Sequence, residues 1–341
     1  MKAGLVIGLI LATVVMAFGP ARADELVAQA NTPPPGKYQG DGGVLRITNN
    51  PAGTNAFAVF VLQKFALDKK YGFQMQTISI GNSDAAATAV QAGSADVIVV
   101  DMMDLARMIN AGVKVIGIVP MFRWGDHIVV PTDSPIQNLG DLRGKRFGTD
   151  SIRNSTWYVM KVAALKMYNL DLEKDTKVQA GGVGLLRGLM EEGQLDATFI
   201  YNNITPAMTV TGKFRVLYQM RDLIKQIGLD GDVPFLLHGA SETYAAAHPA
   251  NIRAYLAAYR EAIQILDTND DVWMEQGRNM KMADASIPPL RDEMRADLMS
   301  KFEPDTEAGM RNIFKVLLAT AGPEGMGMSK LPDKFLTLEY Q

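Results

Sequence analysis

The chain has 341 residues, 48% of them hydrophobic and 21% charged, enough apolar content to bury a core in more than one lobe. It contains no cysteine, which excludes disulfides, thiol catalysis, thiolate metal sites and a lipidated-cysteine anchor. With 34 basic against 37 acidic side chains the net charge is −3, which argues against nucleic acid or an acidic membrane surface as partner.

Met1 and Lys2 lead into an apolar run from Ala3 to Phe18, and Ala21-Arg22-Ala23 supplies the small-x-small pattern of a cleavage site. Residues 1–23 therefore read as a signal peptide, and the expected location is the periplasm. The mature chain then begins at Asp24, and losing Lys2 and Arg22 moves its charge to about −5. Residues 24–43 carry Pro33, Pro34 and Pro35 with Gly36, Gly40, Gly42 and Gly43 and little apolar content, the composition of a flexible arm.

Apolar runs then alternate with helical patterns. Strands are predicted at 44–47, 73–80, 96–100 and 113–119, with helices near 56–70, 84–92 and 104–111 between them. Such alternation predicts a parallel sheet with helices on both faces. An extended segment at 126–130 leads to Pro131, and the rhythm restarts with strands at 146–148, 178–180, 197–201 and 214–217 and helices near 156–169 and 185–192. A second extended stretch, 232–238, precedes an almost purely helical remainder in which Ile252, Tyr255, Leu256 and Tyr259 fall at helical spacing. The fold class is α/β: two α/β lobes joined by two crossover strands, with a helical C-terminal segment. The first lobe takes 44–127 plus 238–341, the second takes 128–237, and a monomer is expected.

The halves echo each other. Gly93-Ser94-Ala95-Asp96-Val97 and Gly193-Gln194-Leu195-Asp196-Ala197 each place a helix-ending glycine before an aspartate that opens a buried strand.

Catalytic patterns are absent: there is no G-x-S-x-G elbow and no H-E-x-x-H, and His127, His238 and His248 lack metal-ligand spacing. Gly182-Val183-Gly184 with Gly188 fails the dinucleotide fingerprint at Arg187 and reads as a tight turn. No cofactor or metal is expected. Function should sit in polar loops at the carboxyl ends of the strands, where open α/β sheets bind ligands.

In the first lobe those loops offer Asn50, Thr54 and Asn55 at a helix start, Asn82 and Ser83 after the second strand, and Asp101 and Met102 after the third. Helix capping explains several of them equally well. The first crossing, Phe122 to His127, holds the densest mixture of aromatic and charged groups. There Arg123 offers a fork for a carboxylate or sulfonate and Trp124 an apolar plate. In the second lobe Arg153, Asn154, Ser155 and Thr156 enter a helix suited to an anionic group, and Tyr201 and Asn202 end a strand. His238, on the returning crossing, reads as structural. Helix amino ends and the two arginines favour an acidic ligand, while Asp101 favours a cation or a hydroxyl.

Ser134-Pro135-Ile136 followed by Leu139-Gly140-Asp141-Leu142-Arg143-Gly144-Lys145-Arg146-Phe147-Gly148 resembles the periplasmic binding components of nitrate, sulfonate and taurine importers, a family that includes thiamine-precursor binders. The Gly93-x-x-Asp96 and Gly193-x-x-Asp196 joints and His248-Pro249 fit the same pattern, so the resemblance spans residues 44–270. It implies a type II periplasmic-binding fold, no catalysis, and delivery of a small molecule to an ABC permease. Fungal relatives make a thiamine pyrimidine with a cysteine-rich motif, which this chain cannot supply. A second expectation is a periplasmic accessory protein whose cleft holds a segment of a soluble partner enzyme.

Overall fold

The computed structural model describes residues 38–51, 53–80 and 83–341, so the signal peptide and most of the arm lie outside the described residues. The chain first lays down β1 (Val44–Asn49), α1 (Asn55–Lys64), α2 (Leu67–Lys70), β2 (Gln74–Ser79), α3 (Ser83–Gln91), β3 (Val97–Asp101), α4 (Met102–Asn110) and β4 (Val115–Phe122). It crosses once and builds β5 (His127–Pro131), β6 (Arg146–Thr149), α5 (Ser155–Tyr168), α6 (Leu172–Asp175), β7 (Lys177–Ala180), α7 (Val183–Glu191), β8 (Ala197–Ile200), α8 (Thr205–Thr209), β9 (Phe214–Gln219) and α9 (Met220–Gln226). It then returns through β10 (Leu236–Ser241) to α10 (Glu242–Ala247), α11 (Pro249–Thr268), α12 (Asp270–Asn279), α13 (Ile287–Asp297) and α14 (Thr306–Met326). None of the described helices is long and apolar enough to cross a membrane.

The strands form two five-stranded sheets, ordered β2-β1-β3-β10-β4 and β7-β6-β8-β5-β9. The expectation of a parallel sheet is corrected for one strand of each sheet. β10 runs antiparallel between β3 and β4, and β5 antiparallel between β8 and β9. In each sheet the reversed strand is the one that arrives from the other lobe, so its direction is set by the crossing. His127 accordingly belongs to the second sheet, pairing with Ile200 and Gln219, and Leu236 and Leu237 already belong to the first. Burial follows cover and not edge position alone. Edge strands β2 and β7 are largely exposed and polar, whereas β4, at the other edge of the first sheet, is buried along its whole length, with Leu336 of the C-terminal tail paired to its Gly117.

The sequence echo is a structural one. Arg46 on β1 clamps Asp96: the carboxylate accepts Arg46 N at 2.8 Å and Nε at 2.9 Å on one oxygen and Nη2 at 2.6 Å on the other. Arg146 on β6 clamps Asp196 in the same way, with 2.8, 3.1 and 2.6 Å. The glycines before the aspartates adopt φ of 67° and 70°, the left-handed turn that ends a helix without a Cβ clash. Asp96 is buried and Asp196 half-exposed. Asp96→Ala should therefore cost about 2 kcal/mol in urea unfolding, because it strands the partly buried Arg46 N–H and frees the Arg46 guanidinium. Asp196→Ala should cost clearly less. Equal losses would show that burial does not set the strength of the clip.

The arm is fixed at its end: Gly40 N donates to the Tyr71 carbonyl, Asp41 N to Asn251 Oδ1, and Asp41 Oδ2 meets His248 Nδ1 at 2.8 Å. The Gly182 turn is likewise corrected, since Gly182 caps α7 and Val183-Gly184 form its first turn.

The C-terminal segment does not stay with the first lobe. α11 packs on α1 and α2, but α13 lies against α8 and α14 runs along α5 of the second lobe. Residues beyond α14 return to the first sheet, where Gly117 pairs with Leu336. α14 breaks at Gly322, whose φ of 71° and ψ of 167° are non-helical, and Pro323 follows. That kink carries Glu324 to Gly327 to the gap between the sheets.

Candidate functional site

A cavity of ≈ 1000 Å³ opens between the two lobes. The loop between β1 and α1, the end of β3 and the first turns of α4 wall one side. Residues 150–158 and the ends of β8 and α7 wall the other. Phe122, Phe235 and Leu236 from the crossings form the back, and Glu324 to Gly327 approach from the C-terminal helix. Among the described residues no cluster of acids and histidines is arranged to hold a metal ion.

Ten of the residues expected from sequence meet at this cavity. The first lobe supplies Asn50, Thr54, Asn55 and Asp101, the second Arg153, Asn154, Thr156, Tyr201 and Asn202, and the first crossing Arg123. Met102, Trp124 and Ser155 do not line it, each being fully buried. Met102 opens α4 and packs into the core. Trp124 stacks on Phe235 with ring centroids 4.8 Å apart, so the indole staples the two crossings together. Arg123, its neighbour, does line the cavity. Ser83 opens α3, and Asn82 lies outside the described residues.

Each polar group on the walls has a definite task. Asp101 caps α4, its Oδ1 accepting Met103 N at 2.8 Å and Asp104 N at 3.0 Å, and the same oxygen receives Ser155 Oγ from the opposite lobe at 2.8 Å. Arg107 bonds Asp104 Oδ1 at 2.5 Å and reaches over to the carbonyls of Arg153 and Met326, both at 3.1 Å. Tyr158 donates its hydroxyl to the Gly325 carbonyl. The lobes therefore touch through side chains as well as through the crossings.

One nitrogen of the Arg123 fork is already engaged. Nη1 donates to the Leu298 carbonyl at 3.2 Å, just past the end of α13, where a cation meets the negative end of the helix dipole. Asp150 accepts Asn154 Nδ2 at 2.9 Å and the Tyr201 hydroxyl at 2.9 Å. Asp126 accepts Asn202 N at 3.1 Å.

Burial raises the Asp126 carboxyl to about 8, with Asp150 and Asp297 pushing the same way against the Asn202 N–H. Burial also raises Asp104 to about 7, helped by Asp101 and opposed by Arg107, and raises Asp150. The histidines stand apart from this chemistry. His238 is fully buried with Nδ1 2.6 Å from the Tyr255 hydroxyl, and burial drives it down to about 3. His127 contacts Thr205 Oγ1 at 3.1 Å and is lowered by burial to about 4.

Asp104, Arg107 and Tyr158 escaped the sequence reading, and Asp126 and Asp150 lie in loops it singled out without being named there as ligand contacts. The 324–327 turn escaped it too, although Gly322-Pro323 inside a helical pattern is a legible stop signal.

Two α/β sheets of matching strand order, each completed by a strand reversed at the crossing and with a cavity between them, define the two-lobed type II periplasmic-binding fold. Residues 69–270 match the NMT1/THI5 like family, and the chain belongs to it. No curated protein matches the sequence. Among solved structures, the periplasmic aliphatic sulphonate binding protein SsuA from Escherichia coli is 18% identical with a TM-score of 0.70, covering 88% of this chain and 99% of its own. The alkanesulfonate-binding protein SsuA from Xanthomonas axonopodis pv. citri, bound to MOPS, is 17% identical with a TM-score of 0.65, covering 87% and 97%. A DszB mutant in complex with biphenyl-2-sulfinic acid shares the fold at 12% identity and a TM-score of 0.63, covering 88% and 97%.

Proposed function

We propose that this chain is a periplasmic solute-binding protein that closes its two lobes over a small organic molecule and delivers it to an ABC permease, without transforming it. The observation that carries the reading is a ≈ 1000 Å³ cavity whose walls come from both lobes, crossed by hydrogen bonds such as Ser155 to Asp101 that exist only when the lobes meet. A ligand touching both walls has differential affinity for the closed state and so shifts the population towards it. Neither His127 nor His238 reaches the cavity, and the chain has no cysteine, which leaves catalysis without its commonest bases and nucleophile. The apolar run 3–18 and the site at Ala23 support export.

Small-angle scattering with and without a ligand found by thermal shift tests the clamp. The expected result is a smaller radius of gyration in the bound state. Tight binding at unchanged shape would overturn the clamp. Ser155→Ala should shift the free protein towards the open form and weaken binding about fivefold, the value of one lost hydrogen bond near 1 kcal/mol. A pull-down that returns a soluble enzyme and no permease would favour the accessory role.

A further inference from the structure

We propose, resting on the binding role above, that the cavity is built for an organic cation rich in N–H donors, seated on the Asp126 and Asp150 carboxyls and the Asn55 amide. The charged groups on its walls are unevenly committed. Arg107 is held by Asp104 and two carbonyls, and Arg123 by the Leu298 carbonyl. Arg153 is exposed at the edge. Among the described residues Asp126 and Asp150 receive only neutral donors: the Asn202 N–H on the first, and the Asn154 amide, the Tyr201 hydroxyl and the Ser151 N–H on the second. Two carboxyls turned to one cavity without a counter-cation are costly to ionise, and burial raises both, Asp126 to about 8. A cation entering between them removes that cost.

The second observation is independent of charge. Asn55 is 4% exposed and lines the cavity, yet among the described residues neither its amide oxygen nor its amide nitrogen has a hydrogen-bond partner. Asn202, 3% exposed, leaves its Oδ1 unpaired on the other side. An unpaired buried polar atom carries a desolvation penalty that a complementary ligand atom relieves. The unmet needs are mostly acceptors: two amide oxygens and two carboxyls call for N–H donors. An anion would present lone pairs to lone pairs. The rings of Phe122, Phe199 and Phe235 add apolar area, and their faces attract a cation.

Matched probes decide the sign. Benzamidinium, phenethylammonium, benzoate and benzenesulfonate, of similar size, would be titrated calorimetrically into the full mature chain, with thermal shift in parallel. One of the two cations should bind at least about tenfold more tightly than either anion. Its affinity should rise with pH up to about 8 as Asp126 ionises. The preference should collapse in Asp126→Asn/Asp150→Asn. Stronger binding of benzoate or benzenesulfonate overturns the proposal, as does the failure of both cations to bind at millimolar concentration. A cation that binds without compaction in scattering would remove the clamp and leave the charge assignment standing. An anion that binds and closes the lobes would do the reverse.

Discussion

Trp124→Ala is expected to destabilise the protein by about 3–5 kcal/mol and to split its thermal unfolding into two transitions. The indole is fully buried, and its ring sits 4.8 Å from Phe235 of the second crossing. The surrounding backbone is already zipped: Phe235 N donates to the Phe122 carbonyl at 2.8 Å, Met102 N to the Phe235 carbonyl at 3.0 Å, and Arg221 N to the Trp124 carbonyl at 2.9 Å. Truncation leaves a cavity where both crossings and both lobes converge, so cooperativity between lobes should suffer along with stability. Trp124→Phe keeps the apolar plate, and since the indole Nε1 has no partner among the described residues the lost N–H costs little. Scanning calorimetry on the two variants checks this. A single transition of undiminished height in the alanine variant would show that the staple does not couple the lobes.

The second large effect is a dependence of stability on pH that Asp126→Asn should erase in part. Asp126 titrates near 8 in the folded chain against an ordinary 3.8, because burial disfavours its charge. Its contribution to stability is thus complete below about pH 4, declines as pH rises, and is lost once pH passes about 8. Asparagine can still accept the Asn202 N–H and has no charge to bury. The variant should match the parent near pH 4 and exceed it by up to about 5 kcal/mol above pH 8, while losing ligand affinity. Asp104, raised to about 7, Glu293, raised to about 7, and Asp297, raised to about 6, all by burial first, act in the same direction. His127 and His238, lowered by burial to about 4 and about 3 from 6.5, act in the opposite one, their contribution being lost as pH falls. The stability maximum should therefore lie in the mildly acidic range. Urea melts at a series of pH values measure it, and a parent-minus-variant difference that stays flat with pH would show that Asp126 carries no buried charge.

The two-lobed frame was legible because its strands are short apolar runs and its joints repeat as glycine then aspartate. Gly93-x-x-Asp96 and Gly193-x-x-Asp196 mark the ends of helices that precede β3 and β8. Strand direction was less legible: β5 and β10 read as extended, but nothing local records which neighbours they meet. The loops at the strand ends were the right place to look, since Asn55, Asp101, Asn154 and Tyr201 all reach the cavity. Individual roles were not legible where a partner lies far along the chain. Arg123 answers to a carbonyl 175 residues away, and Asp101 to a serine 54 residues away. Composition cannot tell an arginine that waits for a ligand from one that is already bonded.

The course of α14 alters the mechanics of such a molecule. Two crossings alone would leave the halves a single free rotation, like a book on its spine. Here α14 lies along α5, Tyr158 holds the Gly325 carbonyl, and the tail beyond is stitched to Gly117 of the first sheet. That third link closes a loop of rigid parts and triangulates the frame. Under the proposed clamp that link would set how far the lobes part, and a fusion appended at Gln341 would pull directly on the limiter.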